Sequence, residues 1–292
     1  MTVPSVRPRS TRIKKTGVHL SGSHAVITGG ARGIGLATAR RLVAVGTSVS
    51  LWDRDAAGLH AAATELSQDD PRAHLHTEVC DITDHDQLRH ALAGSVAALG
   101  PVDILINNAG HLAPGQFVDQ EADTWITSLD VNLNALVYLT RLVIPGMYER
   151  RSGHVVNISS AAGTIGIPGL AVYSAAKWGV WGFSEALRAE ARPHGVMVSS
   201  IHPSYIADGM FAGAELKGVG KLIVPLLRSH DVVAEAIVES ALRRGRTSPK
   251  RPRTVRIAVF LRGILPDPWF NRLIKQLGAW DSMTGWRGRS PE

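Results

Sequence analysis

The chain has 292 residues, of which 45% are hydrophobic and 20% are charged. These proportions are ordinary for a globular protein and exclude a largely disordered chain, a fibrous repeat and a disulfide-stapled miniprotein. The single cysteine, Cys80, cannot form an intrachain disulfide, and we expect it to pack in the core. The N-terminus has no apolar signal segment and no stretch resembles a membrane span, so we expect a cytoplasmic protein.

The net charge of +7 is concentrated in two segments. Residues 1–16 contain five basic residues and no acid, and residues 243–256 contain seven basic residues and no acid. The rest of the chain is mildly acidic, and few aromatic residues are interleaved with the basic ones. We therefore expect no nucleic-acid partner.

Strand-like and helix-like segments alternate from residue 24 onward. Short apolar runs predict strands, and helical spacing of apolar residues predicts helices. In chain order the pattern predicts a strand at 24–28, a helix at 34–45, a strand at 48–52, a helix at 56–66, a strand at 74–79, a helix at 84–99, a strand at 102–106, a helix at 124–150, a strand at 154–158, a helix at 174–191, a strand at 196–201, a helix at 231–243 and a strand at 254–259.

Repeated strand–helix–strand units are typical of a parallel sheet covered by helices on both faces. The predicted fold is therefore α/β, a doubly wound parallel sheet of the Rossmann-like type in a single domain. We expect a flexible basic arm at residues 1–19, a dinucleotide-binding catalytic domain at 20–262 and a C-terminal helical extension at 263–292.

A glycine-rich segment, residues 28–35 (TGGARGIG), follows the first predicted strand and opens the first predicted helix. Glycines at 29, 33 and 35 permit a tight turn and a close approach to a pyrophosphate, and the helix N-terminus adds unpaired N–H groups. The same glycines could form a turn that holds no ligand. Their place between a strand and a helix favours a cofactor site.

Asp53 ends the second predicted strand, where a carboxylate can accept hydrogen bonds from both ribose hydroxyls of an adenosine. Its charge repels a 2′-phosphate, so the sequence predicts NAD in preference to NADP. Arg32 and Arg54 lie nearby in the sequence. Pairing of either guanidinium with that phosphate is the alternative, which keeps NADP open.

The chain resembles the short-chain dehydrogenase/reductase family over residues 22–260, because several motifs occur in the family's order. These motifs are the glycine segment, Asp81-Ile82 after the third strand, Asn107-Asn108-Ala109-Gly110 after the fourth, Asn132, Ser160, and Tyr173 with Lys177 in YSAAK. The resemblance implies an NAD(P)-dependent oxidoreductase with catalytic Asn132, Ser160, Tyr173 and Lys177. The resemblance, together with the analysis of the glycine loop and Asp53, predicts which residues contact the cofactor. They are Gly29, Arg32, Gly33, Ile34, Gly35, Asp53, Asp81, Ile82, Asn108, Ala109, Gly110, Tyr173, Lys177, Pro203 and Ile206.

Tyr173 and Lys177 are four residues apart and share one face of a predicted helix. A nearby ammonium is expected to lower the tyrosine pKa from about 10, so that Tyr173 exchanges a proton with a substrate oxygen. Ser160 is expected to bind the same oxygen. Ser159 is its rival, and the family's spacing from the serine to Tyr173 selects Ser160.

The resemblance further implies that Lys177 holds the nicotinamide ribose and that Asn132 orders a water that relays protons. The alternatives are an amphipathic helix with a solvated lysine, and an asparagine that only caps or kinks its helix. A different class of function is also open: a cofactor-binding regulatory or scaffold protein without turnover. The intact Ser160, Tyr173 and Lys177 favour the enzyme.

One segment departs from the family pattern. The family has Pro-Gly after the sixth strand, followed by a threonine that contacts the carboxamide. Here Pro203 matches, Ser204 replaces the glycine, and Asp208 lies near the threonine position. A backbone N–H of Ile206 could still bind the carboxamide.

The segments 161–170 and 205–227 are rich in apolar residues, which indicates a pocket for an apolar alcohol or ketone. Packing of these segments on their own domain is the alternative. The twelve histidines show no ligand spacing, so no metal site is predicted. In the family the Tyr173 helix pairs across a dimer axis, and Trp178 and Trp181 lie on it, so we expect a homodimer or homotetramer.

The C-terminal segment predicts one more helix, which Asp267 caps and Pro268 begins. An apolar face beside the basic run suggests weak peripheral membrane contact. Packing of this face on the core or on a second subunit is the alternative. The face consists of Trp269, Phe270, Leu273, Ile274 and Leu277.

Overall fold

A parallel β-sheet organises the part of the chain that the computed structural model describes, residues 18–206, 227 and 229–276. The seven strands lie in the order β3-β2-β1-β4-β5-β6-β7, and all neighbouring strands are parallel. The predicted doubly wound α/β domain is thereby confirmed. The strands are β1 (His24–Thr28), β2 (Ser48–Asp53), β3 (Leu75–Val79), β4 (Ile104–Asn107), β5 (Gly153–Ile158), β6 (Val196–Pro203) and β7 (Lys250–Arg251).

Helices follow most of the strands and cover both faces of the sheet. They are α1 (Gly33–Val43), α2 (Ala56–Asp69), α3 (His85–Leu99), α4 (Ala122–Leu129), α5 (Ala135–Arg150), α6 (Ala171–Ala191), α7 (Asp231–Glu235), α8 (Val255–Ile264) and α9 (Asp267–Gln276). A π-helical turn, Asp130–Asn134, joins α4 to α5, and a second, Ala236–Arg243, continues α7. Short 3₁₀ turns occupy Phe117–Asp119, Ala161–Gly163 and Arg192–His194.

The central strands are buried along their whole length because helices cover them on both sides. Every residue of β1, β4 and β5 is buried. Leu42 of α1 and Leu59 of α2 pack in the cluster on one face of the sheet. Leu88 of α3 and Leu139 of α5 pack in the cluster on the other face. Apolar runs that lack alternation therefore mark the strands correctly.

Two aspartates determine where the helices after β2 and β3 begin. The Asp55 carboxylate accepts the Gly58 N–H at 2.8 Å and so caps α2. The Asp84 carboxylate accepts the N–H groups of Asp86 and Gln87 at 2.8 and 3.1 Å and so caps α3. These caps satisfy donors of the first helical turn and keep the preceding loops at the carboxyl edge of the sheet.

The strand order reverses between β1 and β4, which are neighbours in the sheet. Open α/β sheets bind ligands outside the carboxyl ends of the strands at such a reversal. The loops after β1, β4, β5 and β6 meet at this edge. They carry the glycine segment, Asn108, Ser160 and Ser204.

The predicted strand at 254–259 is wrong, because these residues belong to α8 and the turn before it. Alternating Val255, Ile257 and Val259 resemble a strand, yet Val255 and Ala258, one helical turn apart, are the residues that are buried. The last strand is instead the short β7, which pairs with the end of β6. The helix predicted from Asp267 is observed as α9.

The expected division into an arm, a domain and an extension stays a prediction. Residues 1–17 lie outside the described residues, as do 277–292. Helix α8 continues across residue 262, where the sequence suggested that the domain ends.

Candidate active site and cofactor cradle

The glycine segment connects β1 to α1. Gly29 and Gly33 have φ angles of +65° and +59°, which glycine adopts freely. A Cβ at Gly35 would lie 2.1 Å from the Gly29 carbonyl oxygen, so the helix packs closely against the strand end. The exposed Arg32 precedes α1, and the N–H groups of Gly33, Ile34 and Gly35 in its first turn lack helical acceptors. The loop therefore fits an anion such as a diphosphate.

The segment after β4 supports this loop from behind. Asn108 Nδ2 donates to the carbonyl oxygens of Thr28 and Gly29 at 2.9 and 3.0 Å. The N–H groups of Asn108 and Ala109 donate to Thr28 Oγ1 at 3.0 and 3.1 Å. Asn108 and Ala109 thus maintain the shape of the loop. Their expected contact with the cofactor, and that of Gly110, stays a prediction.

Asp53 lies half-buried at the carboxyl end of β2. Its Oδ2 accepts the Ala31 N–H and its Oδ1 accepts the Asp55 N–H, both at 3.2 Å. The carboxylate therefore joins the glycine loop to β2, a structural role that sequence reasoning missed. Arg32 and Arg54 are both exposed.

Asp81 and Ile82 follow β3 and are half-buried. Asp81 Oδ1 accepts the N–H and the hydroxyl of Thr83 at 2.9 and 2.8 Å, and the Asp81 N–H donates to Gln87 Oε1 at 2.9 Å. This turn holds the pair at the sheet edge beside β2, where the adenine half of a dinucleotide is expected.

Ser160, Tyr173 and Lys177 come together at the end of β5. The Tyr173 hydroxyl lies near enough to the Ser160 side chain for that side chain to lower its pKa, and Lys177 Nζ lies 5.7 Å from the centre of the Tyr173 ring. Lys177 Nζ also donates to the Ile158 carbonyl oxygen at 3.0 Å. Ser159, the rival serine, donates its hydroxyl to the Lys177 carbonyl oxygen at 2.8 Å and so has a packing role.

Burial controls the protonation of this group. It raises the pKa of Tyr173 to about 12, although the neighbouring Ser160 side chain lowers it. It lowers the pKa of Lys177 to about 8. The expected depression of the tyrosine pKa is therefore wrong for the described residues, because desolvation outweighs the effect of the Ser160 side chain.

Asn132 lies in the π-helical turn between α4 and α5 and is buried. Its Nδ2 donates to the carbonyl oxygens of His111 and Ser128 at 2.6 and 2.8 Å. Its Oδ1 accepts the His111 N–H at 3.3 Å. Such turns often occur at functional sites. Asn132 thus fixes the backbone just after Gly110, and the expected water relay stays a prediction.

A buried polar network beneath the site was missed by sequence reasoning. Asn107 Nδ2 donates to Asn157 Oδ1 at 2.8 Å and to Thr140 Oγ1 at 3.1 Å. Asn157 Nδ2 donates to Ser184 Oγ at 2.9 Å. Polar residues inside apolar strands were the available signal. The network ties β4 and β5 to α5 and α6, which carry the site.

An apolar wall surrounds Tyr173. Ala162 and Leu170 are buried against it, and the half-buried side chains of Leu112, Ile167 and Tyr205 complete the cluster. Leu112 was missed because nothing in its local sequence marks it.

Pro203 ends β6, and Ile206 forms a parallel bridge with Leu227. These residues flank the segment 207–226, so Asp208 and most of the segment 205–227 lie outside the described residues. The expected contacts of Pro203 and Ile206 with a carboxamide stay predictions.

Within the described ranges, no group of three or more His, Cys, Asp or Glu side chains could hold a metal ion. Within the same ranges, no helix is long and apolar enough to cross a membrane. Cys80 is buried in the core, as expected, and burial raises its thiol pKa to about 12.

Comparison with known proteins decides the family. Residues 23–217 match the family described as short chain dehydrogenase. The chain belongs to the short-chain dehydrogenase/reductase family. As a member of that family it is an NAD(P)-dependent oxidoreductase, which transfers a hydride between a nicotinamide cofactor and a small-molecule alcohol or ketone.

Three similar proteins illustrate the range of the short-chain dehydrogenase/reductase family. A 2-dehydro-3-deoxy-L-rhamnonate dehydrogenase (NAD(+)) of Sphingomonas sp. (strain SKA58) is 38% identical over 185 residues, 63% of this chain and 72% of that protein. Epidermal retinol dehydrogenase 2 of Mus musculus is 29% identical over 280 residues, 95% of this chain and 89% of that protein. A crystal structure of an actinorhodin polyketide ketoreductase with NADPH has a TM-score of 0.71 and 28% identity, and covers 81% of this chain and 97% of that one.

Proposed function

We propose that this enzyme interconverts an apolar alcohol and ketone with NAD(H), using Ser160, Tyr173 and Lys177. The observation that carries the proposal is the position of the Tyr173 hydroxyl beside the Ser160 side chain, with Lys177 buried on the same helix. The nicotinamide supplies or accepts the hydride when it is bound. In ketone reduction the Tyr173 hydroxyl donates the proton to the substrate oxygen, and Ser160 donates a hydrogen bond to that oxygen.

Lys177 provides the charge that this proton transfer requires. Tyr173 becomes a tyrosinate as it gives up its proton, and a buried anion is unfavourable without a nearby cation. The Lys177 ammonium lies 5.7 Å from the ring and is held by the Ile158 carbonyl oxygen. Its attraction to the developing negative charge is strong in this buried position. We propose that Asn132 positions the adjoining loop and orders the relay water.

The preference for NAD follows from the position of Asp53. Its carboxylate is fixed by the N–H groups of Ala31 and Asp55 at the end of β2. A 2′-phosphate at this edge would face that negative charge, whereas free ribose hydroxyls can donate to it. Arg32 and Arg54 are both exposed, whereas Asp53 is held in place by these hydrogen bonds.

The apolar character of the substrate follows from the wall around Tyr173. It presents the aliphatic side chains of Leu112, Ile167 and Leu170 beside the Tyr173 ring. A sugar would leave its hydroxyls unpaired against Leu112 and Ile167. A hydrophobic ketone instead gains by burying its surface there.

A substrate panel tests this proposal. Apolar ketones of increasing size, a retinoid aldehyde and a keto sugar acid are offered with NADH, and the absorbance of the reduced nicotinamide is followed. The expected result is a kcat/KM that rises with apolar size. A higher kcat/KM for the keto sugar acid would contradict the apolar assignment, and no turnover of any carbonyl would favour the scaffold alternative.

We also infer a homodimer or homotetramer, from apolar side chains exposed on neighbouring helices. Ile126 of α4, Val137 of α5 and Trp178 of α6 are 43%, 36% and 37% exposed. A self-complementary interface would cover such side chains. Sedimentation velocity is expected to give a species larger than one chain, and a monomer at micromolar concentration would contradict the inference.

We further propose weak peripheral membrane contact through the C-terminal segment. Two residues of the face predicted for α9, Phe270 and Ile274, pack inward, so that part of the face is structural. A different apolar set points outward: Ile257, Phe260 and Ile264 of α8 are 57%, 65% and 59% exposed, and Trp269 of α9 is 71% exposed. Exposed basic residues lie beside them, as expected for a surface that meets anionic lipid. These are Arg253, Arg256, Arg272 and Lys275.

A further inference from the structure

The three glycines of the cofactor loop have different surroundings. A Cβ at Gly29 would lie 3.0 Å from the Ala109 Cα, and a Cβ at Gly35 would lie 2.1 Å from the Gly29 carbonyl oxygen. Both of these glycines therefore face the protein itself. Among the described residues, the atoms nearest to a Cβ at Gly33 would be those of the His230 imidazole, with Cδ2 and Nε2 both at 3.5 Å.

Of the three glycines, Gly33 is the one whose side of the loop is least crowded by described residues. In dinucleotide-binding loops the glycine between the turn glycine and the packing glycine gives the diphosphate access to the backbone. Gly33 occupies that place between Gly29 and Gly35. The half-buried His230 ring therefore has its Cδ2–Nε2 edge towards Gly33, next to the first turn of α1.

The position of His230 is fixed by its own helix. Its carbonyl oxygen accepts the N–H groups of Val233 and Ala234, both at 3.0 Å, at the start of α7. The next residue, Asp231, forms a two-pronged ion pair with Arg41 of α1, with nitrogen–oxygen distances of 2.7 and 2.5 Å. Helix α7 is thereby docked on the helix whose first turn forms the cradle.

We propose that His230 Nε2 donates a hydrogen bond to the diphosphate of the bound dinucleotide. The diphosphate then lies between two sets of donors, the N–H groups of the first turn of α1 on one side and the imidazole on the other. The ligand class is a nucleoside diphosphate with a second group attached, as in NAD(H) or ADP-ribose. This inference rests on the proposed cofactor site and adds a residue to it.

The test compares two substitutions of His230 with a matched control. His230→Phe keeps an aromatic ring but removes the donor, and His230→Gln keeps a donor of similar reach. His60→Phe makes the same change on the exposed surface of α2. For each full-length variant, NADH affinity is measured by nicotinamide fluorescence. The affinities of ADP-ribose and of adenosine are measured by displacement of NADH, and thermal unfolding confirms that each variant is folded.

His230→Phe is expected to weaken NADH and ADP-ribose by about tenfold, the effect of one hydrogen bond to a charged group, and to leave adenosine unchanged. His230→Gln is expected to retain most of the affinity, and His60→Phe all of it. Unchanged ADP-ribose affinity in a folded His230→Phe variant would overturn the inference and leave the proposed function standing, as would an equal loss for adenosine. Failure of the unaltered enzyme to bind NADH and ADP-ribose would overturn the cofactor site itself.

Discussion

Single residues determine the chemistry of the site through burial and charge. Tyr173 and Lys177 are almost fully buried, and burial favours the neutral form of each side chain. It raises the pKa of Tyr173 to about 12 and lowers the pKa of Lys177 to about 8. A neutral tyrosine is the form that donates a proton to a ketone oxygen. Lys177 keeps its positive charge below pH 8, so the pair is poised for reduction at neutral pH.

Cofactor choice is predicted to depend on the charge of one residue. Asp53→Asn removes the repulsion of a 2′-phosphate and keeps an oxygen for a backbone N–H. The ratio of the Kd for NADPH to that for NADH is expected to fall by about tenfold, about 1.4 kcal/mol. Titration calorimetry measures both constants.

The control for Asp53→Asn is Asp123→Asn, which removes the same charge from an exposed position on α4. Its ratio is expected to equal that of the unaltered enzyme. A clear NADPH preference before any substitution would show that Arg32 or Arg54 outweighs Asp53.

A buried histidine is predicted to make the fold sensitive to acid. His154 is completely buried, its Nε2 lies 2.8 Å from Ser199 Oγ, and burial lowers its pKa from 6.5 to about 3. The unfolded chain therefore binds a proton that the folded chain resists, and the free energy of unfolding falls as the pH drops from 6.5 towards 3. The expected slope is about 1 kcal/mol per pH unit.

Urea unfolding between neutral and acidic pH measures this slope. His154→Gln, which cannot be protonated, is expected to reduce it, while His60→Gln at an exposed position leaves it unchanged. An identical slope in His154→Gln and the unaltered protein would assign the acid sensitivity to other groups, such as the similarly buried His202.

At the scale of elements, sequence patterns predicted structure where the local signal and the packing agree. Strands β1, β4 and β5 were predicted because mainly apolar runs that are buried on both faces do not alternate. Helix α8 was taken for a strand because Val255, Ile257 and Val259 alternate, yet packing buries Val255 and Ala258 on a helical face. Local propensity was overridden there by tertiary contacts, which no local pattern contains.

Helix α8 is predicted to carry the membrane contact. Phe260→Asp places a charge in the outward apolar face of α8. The partition coefficient onto anionic liposomes, measured by sedimentation at low salt, is expected to fall by about tenfold. High salt is expected to release the unaltered protein. Val118→Asp, at a residue that is 83% exposed elsewhere, is the matched control.

The membrane proposal fails on either of two results. One is the absence of sedimentation of the unaltered protein at low salt. The other is equal sedimentation of Phe260→Asp and the unaltered protein, in which case α8 faces a second subunit or another segment of this chain.

At the scale of the whole molecule, the doubly wound topology assembles the site from distant parts of the sequence. The reversal of strand order between β1 and β4 places the glycine loop, Asn108, Ser160 and the end of β6 at one edge. Motifs predicted these residues because each has a local signature. His230 has none, and only the docking of α7 on α1 brings it to Gly33. The tyrosine pKa was also unpredictable locally, because it depends on how deeply the fold buries Tyr173.

The central claim is that Tyr173 transfers the proton during hydride transfer, and Tyr173→Phe tests it most directly. The substitution removes only the hydroxyl beside Ser160 and keeps the ring. Tyr138→Phe, which removes a hydroxyl bonded to Arg89 instead, is the control. Reduction of the best apolar ketone is followed by the absorbance of NADH, and NADH binding by fluorescence. We expect kcat for Tyr173→Phe to fall on the order of 10²–10⁴-fold with NADH affinity nearly unchanged, whereas a kcat near that of the unaltered enzyme would contradict the account.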